Sequence, residues 1–216
     1  MVTATPQPDL IGEKRIVFSG LSWSAYQQIL QSLPQQRTAR LTYDGDRLEI
    51  TMPLEDHEFF MRLMERFIVA LIFETGQKLK TLGSTTIARP DLARGTEPGG
   101  AYYIQNQPRV AGRPVNFTSD PPPDLVVEVD VTHSDIDKNR LYASLGVPEF
   151  WRFDGREWRI FCLNNDAYQE VDHSPTFPWV EKGDLYHFLA QARLDEIEAE
   201  RAWRSRVREH HATLNP

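Results

Sequence analysis

Apolar residues recur at helical spacing over residues 55–75, where Phe59, Leu63, Phe67, Ala70 and Leu71 share one face and Gly76 supplies a stop. This pattern predicts the longest helix of the chain. A shorter helix is expected from Ser22 as N-cap through Leu33, ended by Pro34. Short runs of strand character fall at residues 14–18, 39–43 and 47–51, the last two joined by Asp44-Gly45, a strong hairpin signal. Residues 78–87 hold one strand or two short ones, and residues 101–105 another. Later strands are expected at Glu149–Phe153 and 158–163, split by Asp154-Gly155, and at 168–171 after Asn164-Asn165-Asp166. Ser134 and Asp137 resemble a capping box with Asp in place of Glu or Gln. They predict a helix starting at Ser134, striped by Ile136, Leu141 and Leu145 and ended by Gly146 and Pro148. Residues 184–211 read as a long helix with a break near Ala192, its early acids and late arginines suited to the helix dipole. Strands and helices mix without a steady βαβ rhythm, which predicts a single α/β or α+β domain with a mixed sheet flanked by helices. There is no internal repeat.

Composition narrows the class. A chain of 216 residues with 40% hydrophobic and 25% charged residues suits one folded domain with terminal additions. The longest apolar stretch, near residues 67–73, is far too short to span a bilayer. The first fifteen residues lack a charged start followed by an apolar run, so no secretory signal is expected. The lone Cys162 excludes an internal disulfide and a cysteine-based metal cage, and a cytoplasmic protein is the simplest reading. A net charge of −7 argues against a non-specific nucleic-acid coat. Arg89, Arg94, Arg109 and Arg113 fall in one segment and form either a local basic groove or a set of separately solvated side chains.

The segment PPPDLVVEVDVTHSDIDK, residues 121–138, breaks the apolar rule. Its centre reads as a buried strand, yet it carries Glu128 and Asp130, and a buried carboxylate is costly unless paired or metal-bound. Alternation places Asp124, Val126, Glu128 and Asp130 on one face. Asp124 and Glu128 are then about 13 Å apart along the strand, too far to share an ion bound at about 2.1 Å, whereas Glu128 and Asp130 are about 6.6 Å apart. Asp124 is therefore expected to be a strand-start or turn residue after Pro121-Pro122-Pro123. If residues 101–105 pair antiparallel with this strand, a fold-back near residues 111–113 sets Glu128 opposite position 99, where Glu97 is the one acid in reach. Lys138 is expected to point back over the strand end. Such a set would hold Mg²⁺ or Mn²⁺ and activate water; equally, Glu128 and Lys138 would form a buried ion pair without metal.

The stretch PPPDLVVEVDVTHSDIDKNRLYASLGVPEFWRFDG, with LGSTTIARPDLARGTEPGGAYYIQN and LTYDGDRLEITMPLEDHEFF, resembles the Uma-two family of restriction-endonuclease-like proteins. The resemblance covers about residues 10–205. It implies a restriction-endonuclease-like mixed central sheet flanked by helices, over residues 13–190. Residues 1–12 would be a flexible lead and 191–216 a C-terminal helix and tail. It also implies a metal-dependent endonuclease that hydrolyses DNA phosphodiester bonds. By position, Glu128 and Lys138 would be catalytic, and Glu128, Glu97 and Asp130 would bind Mg²⁺ or Mn²⁺. From the arginine-rich segment noted above, Arg94, Arg109 and Arg113 are the candidates to contact DNA, and the partners expected are DNA and a second copy of the chain. The family's EPD triplet reads Glu97-Pro98-Gly99 here, so one aspartate is missing. Gly99→Asp is accordingly expected to raise metal affinity. The alternative is a catalytically silent member that binds nucleic acid or a protein partner. His57 opens the long helix where the family usually carries a histidine, in a capping, site-lining or structural role. Trp151, Trp158 and Trp203 would serve either an assembly surface or the core.

Overall fold

Strand pairing sorts the chain into two sheets. The computed structural model describes residues 13–34 and 36–214, so the expected lead at residues 1–12 lies outside the described residues. The first sheet is antiparallel and runs β1 (Glu13–Phe18), β3 (Arg47–Pro53), β2 (Arg40–Asp44), β6 (Arg94–Thr96), β5 (Ile87–Arg89). Helix α1 (Trp23–Ser32), capped by the Ser22 side chain, packs Tyr26 against Leu41, Tyr43 and Leu48 of this sheet. Its strand β6 was not expected: three residues with two small side chains leave too little apolar pattern to read.

The second sheet is mixed, in the order β11 (Ala167–Val171), β10 (Trp158–Asn164), β9 (Glu149–Phe153), β8 (Leu125–Val129), β7 (Gly100–Tyr103), β4 (Lys80–Thr81). Its one parallel pair is β8 with β9, joined across helix α4 (Lys138–Ser144). A parallel pair needs such a crossover, and helices on both faces bury the strand completely. Every residue of β8 is buried. Leu125, Val127 and Val129 face a core made with helices α2 (Glu55–Glu74), α5 (Lys182–Ala192) and α6 (Glu196–Leu214), while Val126 packs with Leu141, Tyr142 and Phe150. Each such Val or Leu contributes about 1.5–3 kcal/mol on burial.

Helix α2 seats Phe60, Leu63, Met64, Phe67 and Leu71 in the larger core, with Phe59 only at its margin. The tail helix breaks after Ala192, as its sequence predicts, and α6 packs Trp203 on Phe67 with stacked rings 4.3 Å apart. Trp151 and Trp158 are fully buried and Trp203 nearly so, so all three belong to the core and none offers an assembly surface. Helix α4 starts later than its sequence suggests. Asp137, not Ser134, is the N-cap and accepts from the Arg140 N–H, because the Ser134 hydroxyl donates to Glu49 of β3. The connection after β7 also holds an unexpected short helix, α3 (Gln107–Val110).

Candidate functional site

The register of β7 on β8 pairs Gly100 with Val127 and Ala101 with Val126, which puts Glu128 beside Gly99 as the reflection argument requires. The Gly99 N–H donates to Glu128 Oε2 at 3.2 Å. The Tyr142 hydroxyl of α4 donates to Glu128 Oε1 at 2.5 Å, and Lys138 Nζ lies 3.2 Å from Oε2. Tyr142 stands one helical turn after Lys138, so both reach the same strand face. Burial, then the charge and hydrogen bond of Glu128, push the Tyr142 phenol well above its ordinary range.

Asp130 is the hub. Its Oδ1 accepts from Lys138 Nζ at 2.6 Å and from the Arg15 guanidinium at 2.9 Å. Burial raises the Asp130 carboxyl, but Lys138 and Arg15 outweigh it and hold the group below the usual carboxylate range. Burial likewise pulls Lys138 down, and Asp130 with Glu128 more than reverses this. Arg15 reaches Glu49 at 2.6 Å, and Glu13 receives the Val131 and Thr132 N–H groups and the His57 ring at 2.9 Å. His57 is thus buried and paired, its other ring nitrogen 3.1 Å from Arg40. This network staples the Asp130–Asp135 connection to the first sheet.

The residues singled out in the sequence divide sharply. Glu128, Asp130 and Lys138 meet. Glu97 is turned elsewhere: it accepts from the Leu41 N–H at 2.9 Å and from Thr86 at 2.7 Å, and pairs with Arg37. Asp124 is taken up by the Ile104 N–H at 2.6 Å, the Asn106 N–H at 2.9 Å and the Asn106 amide at 2.6 Å. Arg94 pairs with Asp44 in the first sheet, whereas Arg113 pairs with Asp120 and donates to the Arg109 carbonyl at 2.8 Å, which makes Arg109 and Arg113 neighbours. Arg89 is held by Asp91. Sequence reasoning missed Glu13, Arg15, Glu49 and Tyr142. Tyr142 was detectable from its spacing to Lys138; the other three come from distant strands and leave no local signal.

A mixed sheet whose central strand and crossover helix bring a glutamate and a lysine together defines a protein of restriction-endonuclease-like architecture. The chain belongs to the Uma2 family, described as "Putative restriction endonuclease", whose profile matches residues 23–187. No curated protein matches the chain.

Restriction-endonuclease-like proteins are usually metal-dependent. The donor set here does not fit a resident divalent ion. Such ions need about six oxygen ligands. Both Glu128 oxygens and Asp130 Oδ1 already accept from hydrogen-bond donors, and the Lys138 ammonium occupies the space between the two carboxylates. Only Asp130 Oδ2 lacks a hydrogen bond, and it faces Arg152 Nε at 3.2 Å. Among the described residues no three His, Cys, Asp or Glu side chains come together to hold a metal. Position 99 is also filled space. A Cβ there would lie 2.6 Å from the Met61 sulfur and 2.9 Å from the Val127 carbonyl oxygen. Gly99→Asp therefore cannot simply restore a ligand, contrary to the expectation from the triplet.

Proposed function

We propose that this chain is a nuclease-fold protein that binds nucleic acid without hydrolysing it, its hydrolytic centre replaced by a buried ion-pair network. The observation that carries the reading is the Lys138 ammonium lodged between Glu128 and Asp130 at 3.2 and 2.6 Å. A cation fixed there neutralises the carboxylates that would otherwise attract Mg²⁺ or Mn²⁺. A second reading, metal-dependent hydrolysis of DNA phosphodiester bonds, draws support from the same meeting of Glu128 and Lys138 within a family described as nucleases. In that reading Glu128 and Lys138 are catalytic, and Glu128, Asp130 and Glu97 are the candidate ligands after a rearrangement.

Two measurements separate the readings. Plasmid and short-duplex cleavage is followed with Mg²⁺ or Mn²⁺, and Mn²⁺ binding is followed by calorimetry, for native and Glu128→Gln proteins. The first reading expects no cleavage and no Glu128-dependent heat. Cleavage that disappears in Glu128→Gln and in Lys138→Ala would establish the second. No helix among the described residues is long and apolar enough to cross a membrane.

A further inference from the structure

We infer that the cleft lined by Arg37, Arg40 and Arg62 is a binding site for a phosphate of a nucleic-acid strand, an inference that rests on the nucleic-acid-binding reading above. The cleft holds about 280 Å³, and its wall also includes Ser84, Glu58 and Glu97. That volume lies just below the range for drug-sized ligands, enough for a phosphate and its sugar.

Three observations converge on an anion. Arg37 gives one terminal nitrogen to Glu97 and the other to the Pro34 carbonyl, yet its Nε is buried with no hydrogen-bond partner among the described residues. A buried guanidinium N–H without an acceptor is uncommon and calls for one. Arg40 is held at fixed orientation by Glu58 at 3.0 Å and His57 at 3.1 Å. Its guanidinium passes 3.5 Å from the Cβ position at Gly99, so the cleft adjoins the residue whose N–H binds Glu128. Arg62, the third, is 71% exposed at the rim.

The wall carries three guanidinium groups and two carboxylates, and Arg62 at the rim also pairs with Glu65 at 3.1 Å. The carboxylates hold Arg37 and Arg40 in place, and a preorganised guanidinium fork suits phosphate oxygens better than a lysine would.

The test is fluorescence anisotropy of a labelled single-stranded 20-mer with the full chain at low salt. Native, Arg37→Gln, Arg62→Glu and Arg109→Glu proteins are compared, with folding checked by circular dichroism. Arg62 is exposed, so its variant keeps the test valid even where Arg37→Gln fails to fold. We expect Arg62→Glu to weaken binding at least about tenfold and to reduce the salt slope by roughly 0.7, one single-strand phosphate contact. Arg109→Glu should change little. Strand binding unaffected by the cleft variants, or weakened only by Arg109→Glu, would overturn the inference while leaving nucleic-acid binding intact. No strand binding by the native protein would sink both. Displacement of the bound strand by inorganic phosphate at the concentrations where an unlabelled strand displaces it would assign the cleft to free phosphate and reject the strand.

Discussion

The two ends of β8 carry acids of the same face, equally buried, with opposite surroundings. At the start, Asp124 is 5% exposed and is met by backbone and amide N–H groups. At the end, Glu128 and Asp130 are each 3% exposed and are met by Lys138, Arg15, Arg152 and a phenol. Neutral donors from one connection pin a turn. Cations converging from β1, α4 and β9 build a charge cluster whose members depend on one another. Residue type and strand parity are identical at the two ends, so what decides the role is which neighbours the fold delivers.

The sharpest way to break this comparison is Asp130→Ala. It leaves Lys138 and Arg15 buried with less opposing charge, and removing one partner of such a pair costs about 3–5 kcal/mol. Urea denaturation of the single variant should show that loss, and Asp130→Ala combined with Lys138→Met should be less damaging than the sum of the two. A single-variant cost below about 1 kcal/mol would make the cluster no different from a surface ion pair.

Acid and base titration tests the same end more gently. Asp130 and Glu13 titrate below their ordinary values in the fold, so the stability they contribute is complete above about pH 5 and is lost as pH falls through their folded values. Lys138 titrates above its ordinary value, so its contribution is complete below about pH 10 and lost only beyond it. Thermal melts should be level from about pH 5 to 9 and drop below about pH 4. The acid drop should be shallower in Asp130→Asn; an unchanged drop would remove Asp130 as its source.

Gly99→Asp comes next. Inserting a side chain against the Met61 sulfur and the Val127 carbonyl should cost about 1–3 kcal/mol. Adding Met61→Ala should recover only part of it, since the carbonyl is backbone. A gain in Mn²⁺ affinity without loss of stability would show that the cluster opens readily into a metal site.

Much of this was legible along the chain, and the limits have physical causes. The hairpin at Asp44-Gly45, the α1 cap at Ser22 and the placement of Glu128 beside Gly99 all follow from local chemistry or from simple register arithmetic. The meeting of Lys138 with the strand acids followed from a short strand-to-helix connection. The role of Glu97 did not, because the β6–β7 segment turns its carboxylate to the Leu41 amide, a partner fifty-six positions away. The Ser134 cap was misjudged for the same reason: Glu49 of another sheet competes for its hydroxyl. Division of the strands between two sheets likewise depends on pairings between distant segments, which hydrophobic period cannot rank.

The smallest expected effect belongs to the quiet end of the strand. In Asp124→Asn the side-chain carbonyl can take the place of Oδ2 and keep both the Ile104 and Asn106 N–H bonds. The new amide then faces the Asn106 amide, which accepts only if Asn106 turns over and gives up its 3.4 Å contact with Arg109. The net loss should be about 1 kcal/mol, one neutral hydrogen bond together with the charge that strengthened the other two. Oligonucleotide affinity and any Mn²⁺ response should match the native protein, because the hydrogen bonds of Asp124 run to Ile104 and Asn106 rather than to Lys138 or the arginine cleft. Denaturant midpoints and anisotropy titrations on the same preparation read both quantities. A loss of oligonucleotide affinity as large as that of Arg62→Glu, with stability unchanged, would mean that Asp124 and the arginine cleft act as one site.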